Sequence, residues 1–225
     1  MTVCALIPAF NEAATIAEVV TGVRPHVQAV VVVDDGSADE TASRAEAAGA
    51  RVIRHAENRG KGHAVRSGLA QILALDFSHV LLMDGDGQHR PEDVPKMLQA
   101  ARERDADLVV GARIFDKAQM PRSRYYSNTI GSRALSSFIG SPIEDSQSGF
   151  RLIRCDILRG LTLTATGYEI ETEMLIKLAR RGARMVSVPV TLHYGAKSKL
   201  RPIRDTTRTC FLAVYYRFLQ RDSLH

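Results

Sequence analysis

Asp84-Gly85-Asp86-Gly87-Gln88 presents two carboxylates and an amide oxygen at alternate positions. Oxygen-only donors favour a hard divalent cation, Mg²⁺ or Mn²⁺, of the kind that holds nucleotide phosphates. An EF-hand would need glycine at the sixth loop position and glutamate at the twelfth, where this chain has His89 and Pro95. Asp-Gly is also ordinary turn chemistry, so the string needs a second signal. Val33-Asp34-Asp35-Gly36-Ser37 supplies one. Adjacent carboxylates accept hydrogen bonds from the ring N–H or exocyclic amine of uracil or guanine. The competing reading is a turn followed by a helix N-cap at Ser37 or Asp39.

Three further stretches carry chemistry. Asn58-Arg59-Gly60-Lys61-Gly62-His63 precedes a helical pattern. It is not a Walker A loop, because His55 stands where the first glycine belongs and Gly62 follows the lysine. Nor is it the dinucleotide fingerprint, because Val65 takes the third glycine position. A Gly-Lys-Gly turn at a helix start still cradles phosphate. Arg113, Arg122 and Arg124 flank an irregular segment followed by Ser127 and Asn128. Arginine suits bidentate phosphate binding, although solvated surface arginines look the same in sequence. Asp145 heads Asp-Ser-Gln-Ser-Gly-Phe-Arg. It reads equally as a general base, a support for a neighbouring ligand, or an Asx-turn residue. His89 is a further ligand candidate, and the seven histidines show no metal-like clustering.

The elements that must position these groups follow from periodicity. Strands are expected over 3–8, 27–33, 51–55, 80–83 and 107–111. Helices are expected over 12–23, from 37 or 39 to Gly49, over 61–75, and from Pro91 onward. Alternation of this kind implies a parallel sheet with helices on both faces and ligands at the strands' carboxyl ends. Arg113 then points into the same cleft as Asp86. After Arg113 the pattern changes: 114–123 is polar and irregular, 125–139 is helical, and strands at 148–153 and 184–190 flank a helix at 169–181. The expected fold is a single α/β domain with a mostly parallel sheet.

Composition sets outer bounds. With 225 residues, 45% hydrophobic and 24% charged, the chain has the make-up of a globular protein with a sizeable core. Cys4, Cys155 and Cys210 lie far apart without metal spacing, which suits a reducing, cytoplasmic setting. No basic-then-apolar leader is visible, and no apolar run reaches the ~20 residues of a membrane span. The net charge is +5, and seven basic residues against one acid, Asp205, fall between Lys197 and Arg221. That asymmetry points to an anionic partner. Residues 202–219 interleave Arg204 and Arg208 with Phe211, Leu212, Tyr215, Tyr216 and Phe218. Such a segment lies at a bilayer surface, packs on its own domain, or packs against a membrane-embedded partner subunit. No nucleic-acid partner is expected.

Motif order and spacing carry a resemblance. Ile7-Pro8-Ala9-Phe10-Asn11-Glu12, Val33 through Ser37, Asn58 through Gly62, Asp84 through His89, Gly111-Ala112-Arg113, Asp145 through Arg151 and Ser198-Lys199-Leu200 together resemble the family-2 glycosyltransferases of GT-A fold. Among these the chain is most similar to dolichyl-phosphate mannose synthase and related polyprenyl-phosphate glycosyltransferases. The resemblance implies a GT-A domain over 1–200 and a basic amphipathic segment over 201–225. It implies that Pro8, Phe10 and Glu12 line the nucleotide site, with Val33 and Asp35 at the base and Asp34, Lys61 and Gly85 beside the nucleotide. Asp84 and Asp86 would form the DXD-type pair, with Asp86 and Gln88 the more direct metal ligands. Arg113, Arg124 and Ser127 would grip the acceptor phosphate, with Arg122 and Asn128 as alternatives. Lys199 would close a Ser-Lys loop over the donor. The family often carries an arginine shortly before that loop, where His193 or Lys197 stands here.

The implied reaction is metal-assisted, inverting transfer of a hexose from GDP-mannose or a UDP-sugar to dolichyl or undecaprenyl phosphate. The enzyme would be peripheral at the inner face of the membrane. Transfer to a sugar hydroxyl with Asp145 as base, nucleotidyl transfer, and nucleotide-sugar binding without turnover are the alternatives.

Overall fold

The computed structural model describes residues 1–113 and 122–191, with side chains described for 1–113 and 131–191. Seven strands form one sheet: β1 (Val3–Ala9), β2 (Ala29–Asp34), β3 (Arg51–Arg54), β4 (His79–Leu82), β5 (Leu108–Arg113), β6 (Arg151–Arg154) and β7 (Met185–Val190). Their order is β3-β2-β1-β4-β6-β5-β7. The helices are α1 (Ile16–Val23), α2 (Thr41–Ala47), α3 (Lys61–Leu73), α4 (Val94–Glu103), α5 (Arg122–Ile139), α6 (Cys155–Leu158) and α7 (Ile170–Arg180).

Strand side chains alternate between two cores. Ala5 and Ile7 of β1 pack with Val19 and Val20 of α1 and Met97 of α4. Cys4 and Leu6 pack on the other face with Val65 and Leu69 of α3 and Met174 and Leu175 of α7. A strand covered on both faces must be apolar throughout, which is why 29–33 reads Ala-Val-Val-Val-Val.

The sheet is mostly parallel, as expected, and β6 is the exception: it runs antiparallel to both β4 and β5. Arg151 at its start therefore lies opposite Leu82, at the edge where β4 ends. A reversed strand brings the loop before it, rather than after it, to the ligand edge. That is how residues 145–149 reach the cleft.

Several boundaries differ from the periodicity. The helix expected from 12 begins at Ile16, because Glu12 O first closes a turn with the N–H groups of Thr15 and Ile16. Pro91 opens a 3₁₀ turn, Pro91–Asp93, before α4 starts. The strand expected at 148 begins at Arg151, because 145–149 is bound up in a turn from Ser148 N–H to Asp145 O. The single turn α6 carries too few residues for a period to show.

Candidate functional site

The carboxyl ends of β1, β4 and β5, the loop following β2, the start of α3, the 145–149 loop and the start of α7 enclose a cleft of ≈ 210 Å³. It straddles β1 and β4, where strand succession switches direction across the sheet, the usual ligand position in such folds. Pro8, Phe10, Glu12 and Asp35 line one end, and Lys61, Asp84, Gly85, Asp86, Gln88 and Arg113 line the rest.

Asp35 is 3% exposed and knits β2 to the 58–61 loop. Its carboxylate accepts the backbone N–H groups of Arg59 and Gly60, and its Oδ1 lies 2.7 Å from His55 Nδ1. His55 Nε2 in turn meets Ser67 Oγ at 3.0 Å. Gly60 makes the loop possible: its φ is +95°, and a Cβ there would stand 2.4 Å from Thr166 O. Asp34 turns the other way. Its Oδ1 accepts the Ser37 N–H, and its Oδ2 lies 3.3 Å from Arg54 Nε. Asp34 and Val33 are thus placed behind the cleft wall, Asp34 serving the turn and Val33 the core.

In the acidic string, turn and ligand readings coexist. Asp86 folds Gln88 back, accepting its N–H at 3.0 Å and its side-chain amide N–H at 2.8 Å. Thr15 Oγ1 anchors the string by donating to Gly85 O at 2.7 Å. Burial, then the neighbouring Asp84 charge, pushes the Asp86 carboxyl up to about 6. A cation would relieve that penalty, so the donor set fits a hard divalent ion. Among the described residues no group of three or more acidic, histidine or cysteine side chains gathers into a full metal cage. Asp86 with the Gln88 oxygen is a partial set of hard oxygen donors, of the kind a divalent cation such as Mg²⁺ or Mn²⁺ would need supplemented by other oxygens.

Asp84 is held differently. Lys61 Nζ lies 2.5 Å from Asp84 Oδ1 and 2.6 Å from Glu171 Oε1. Burial opposes all three charges. Lys61 nevertheless holds Asp84 below the usual carboxylate range, and the two carboxylates hold Lys61 above its own. For Glu171 burial wins and its pKa rises. Gly149 permits the approach, since a Cβ there would stand 2.4 Å from Asp84 Oδ2 and 2.9 Å from Lys61 Nζ. His89 is buried against Phe150, and burial lowers it to about 4, so it is neutral near pH 7.

Arg113 and Asp145 form a bidentate pair, Nε to Oδ2 at 2.5 Å and Nη2 to Oδ1 at 2.9 Å. Their side chains are 8% and 1% exposed. Burial would raise Asp145, but Arg113 outweighs it and holds the carboxyl low. Arg151 is fully buried and donates to the carbonyls of Ser146, Ser148 and Glu171 at 2.7–2.9 Å. It thereby fixes the 145–149 loop against α7. Arg122, Arg124, Ser127 and Asn128 fall on the first turns of α5, and their side chains lie outside the described residues. So do His193, Lys197, Lys199 and the 201–225 segment.

Periodicity alone did not single out Glu171, Tyr168, His55 or Gly149. For Glu171 periodicity offered no signal, because residues 170–176 of α7 are buried all round and no single apolar face sets it apart.

Comparison with known proteins agrees with this geometry. The model of "Glycosyl transferase family 2" matches residues 4–162. The chain is 38% identical over 221 residues to glycosyltransferase AglJ of Haloferax volcanii, covering 96% of this chain and 71% of that protein. It is 33% identical over 204 residues to undecaprenyl-phosphate mannosyltransferase of Micrococcus luteus, covering 85% and 83%. Among solved structures, glucosyl-3-phosphoglycerate synthase from Mycobacterium tuberculosis, crystallised with Mn²⁺, UDP and glucosyl-3-phosphoglycerate, superposes with a TM-score of 0.73 at 25% identity. That match covers 96% of this chain and 79% of the synthase. A family match across most of the sheet, and a GT-A architecture shared with solved relatives, establish that this chain belongs to glycosyl transferase family 2 and is a glycosyltransferase.

Proposed function

We propose that the chain moves a hexose from a nucleoside diphosphate sugar to a polyprenyl phosphate, inverting the anomeric carbon. The observation that carries this reading is the engagement of Asp145. Its Oδ1 accepts from Arg113 Nη2 and the Gln147 N–H, and its Oδ2 from the Arg113 side chain and N–H. A carboxylate so occupied, with its basicity depressed, is a poor acceptor for a hydroxyl proton. A phosphomonoester needs no such base, since its second pKa of ~6 leaves it largely dianionic near neutrality. The names of relatives that act on undecaprenyl or dolichyl phosphate support the same acceptor.

In this reading Pro8, Phe10, Glu12 and Asp35 hold the nucleoside. Asp86 and Gln88 hold a divalent cation, Mg²⁺ or Mn²⁺, which neutralises charge growing on the leaving diphosphate. Arg113, with Arg124 and Ser127 of α5, holds the acceptor phosphate in line with the anomeric carbon. A phosphate oxygen bonds to that carbon as its bond to the diphosphate breaks, which inverts it. Lys199 closes over the donor. Residues 201–225, where basic and aromatic residues interleave, are the proposed contact with the lipid at the cytoplasmic face.

The test is transfer from UDP- and GDP-sugars, with Mn²⁺, to undecaprenyl or dolichyl phosphate in vesicles, read by mass spectrometry of the lipid. Transfer to glycan hydroxyls with none to lipid phosphate overturns the proposal. Asp145→Asn separates the mechanisms. Loosened Arg113 should raise the acceptor KM with kcat kept within about 10-fold. A kcat loss of about 10³-fold at unchanged KM would instead make Asp145 the base.

A further inference from the structure

Resting on the donor reading above, we propose that Glu171, acting with Asp84 and Lys61, is the subsite that reads the hydroxyl groups of the transferred sugar and restricts it to an uncharged hexose. Glu171 is 7% exposed, lines the cleft from the start of α7, and has one oxygen without a hydrogen-bond partner. Oε1 is taken by Lys61, whereas Oε2 is buried and unpaired among the described residues. A buried carboxylate oxygen left without a donor is costly and calls for a ligand donor.

The neighbours define that donor. Lys61 reaches Asp84 through Oδ1, while Asp84 Oδ2 faces the space kept open by the missing side chain at Gly149. Two carboxylates that only accept thus flank one ammonium that only donates. A hydroxyl does both, so a sugar diol is complementary to this trio. Tyr168 stands under the lysine, its ring centroid 5.5 Å from Nζ, and gives the subsite an aromatic wall. The trio carries two negative charges against one positive, so a sugar bearing its own carboxylate meets net repulsion. Asp84 belongs both to the acidic string and to this trio, so the reader adjoins the proposed diphosphate site.

The experiment is calorimetric binding with Mn²⁺ to the intact chain. UDP and GDP are titrated first, to identify the base and to check the donor site itself. If neither binds, the donor reading fails and this inference with it. If one binds, the matching nucleotide hexose is compared with the matching nucleotide uronate, UDP-glucuronate or GDP-mannuronate, on unaltered protein. The hexose is expected to bind about 10-fold more tightly than the uronate. The isosteric variant Glu171→Gln should weaken the nucleotide hexose about 10-fold and leave the nucleotide alone within about 2-fold. Equal weakening of nucleotide and nucleotide sugar, no weakening of either, or uronate binding as tight as hexose binding would each overturn the assignment. The wild-type sugar series decides the matter even if the variant folds poorly.

Discussion

The two halves of the cleft satisfy their buried charges by different means. On the side of β2 and the acidic string, carboxylates draw on backbone N–H groups: Asp35 accepts from Arg59 and Gly60, and Asp86 from Gln88. On the β5–α7 side they are held by whole charges brought from distant segments: Asp145 by Arg113, and Glu171 by Lys61. Backbone donors move with the fold, so the first half is a rigid cradle, suited to a moiety that is the same at every turnover. Side-chain ion pairs depend on long-range assembly and on desolvation that each partner must offset. They can also exchange a partner for an ionic ligand, which a backbone amide lacking charge does less readily.

Three perturbations would break or sharpen this contrast. The largest effect is expected at Arg151. Arg151→Met leaves the carbonyls of Ser146, Ser148 and Glu171 without their donor, and should cost about 4 kcal/mol in urea unfolding. On the cradle side, Asp35→Asn keeps one carboxyl oxygen but turns an amide toward a backbone donor. A loss of about 2 kcal/mol is expected by the same measurement. If the two costs were equal, a buried cation fixed by carbonyls and a buried carboxylate fixed by backbone N–H groups would carry the same energetic weight.

The third perturbation is the titration of Asp86. Its carboxyl, raised from 3.8 to about 6, takes up a proton in the folded state that the unfolded chain still releases. The ligand-free fold therefore loses stability as pH rises from about 4 through about 6, and a cation bound there restores it. Metal binding needs the ionised form, so Mn²⁺ affinity should fall about 10-fold between pH 7 and pH 5. The upward shift in Tm on adding Mn²⁺ should be larger at pH 7 than at pH 5. A pH-independent shift would place the cation away from Asp86.

Much of the fold was legible because its signals are local. The β-branched run Val30-Val31-Val32-Val33 demands a strand covered on both faces, and alternation with helices demands a parallel sheet. Asp84, Asp86 and Asp35 could be placed at strand ends for the same reason. The reversed strand β6 could not be read this way, because four apolar-centred residues carry no direction. Nor could the pull of Asp34 away from the cleft, which depends on Ser37 and Arg54 lying on its other side.

By itself the amino-acid order determined the α/β class, the acidic donors of the site and their place at the carboxyl edge of the sheet, since each follows from spacing within a few residues. Tertiary structure alone decided which charges meet. Asp145 became the partner of Arg113, and Glu171 joined Lys61 and Asp84, because β6 reverses and α7 starts at the same edge. Pairing across such separations is set by strand order and burial, which no local pattern encodes.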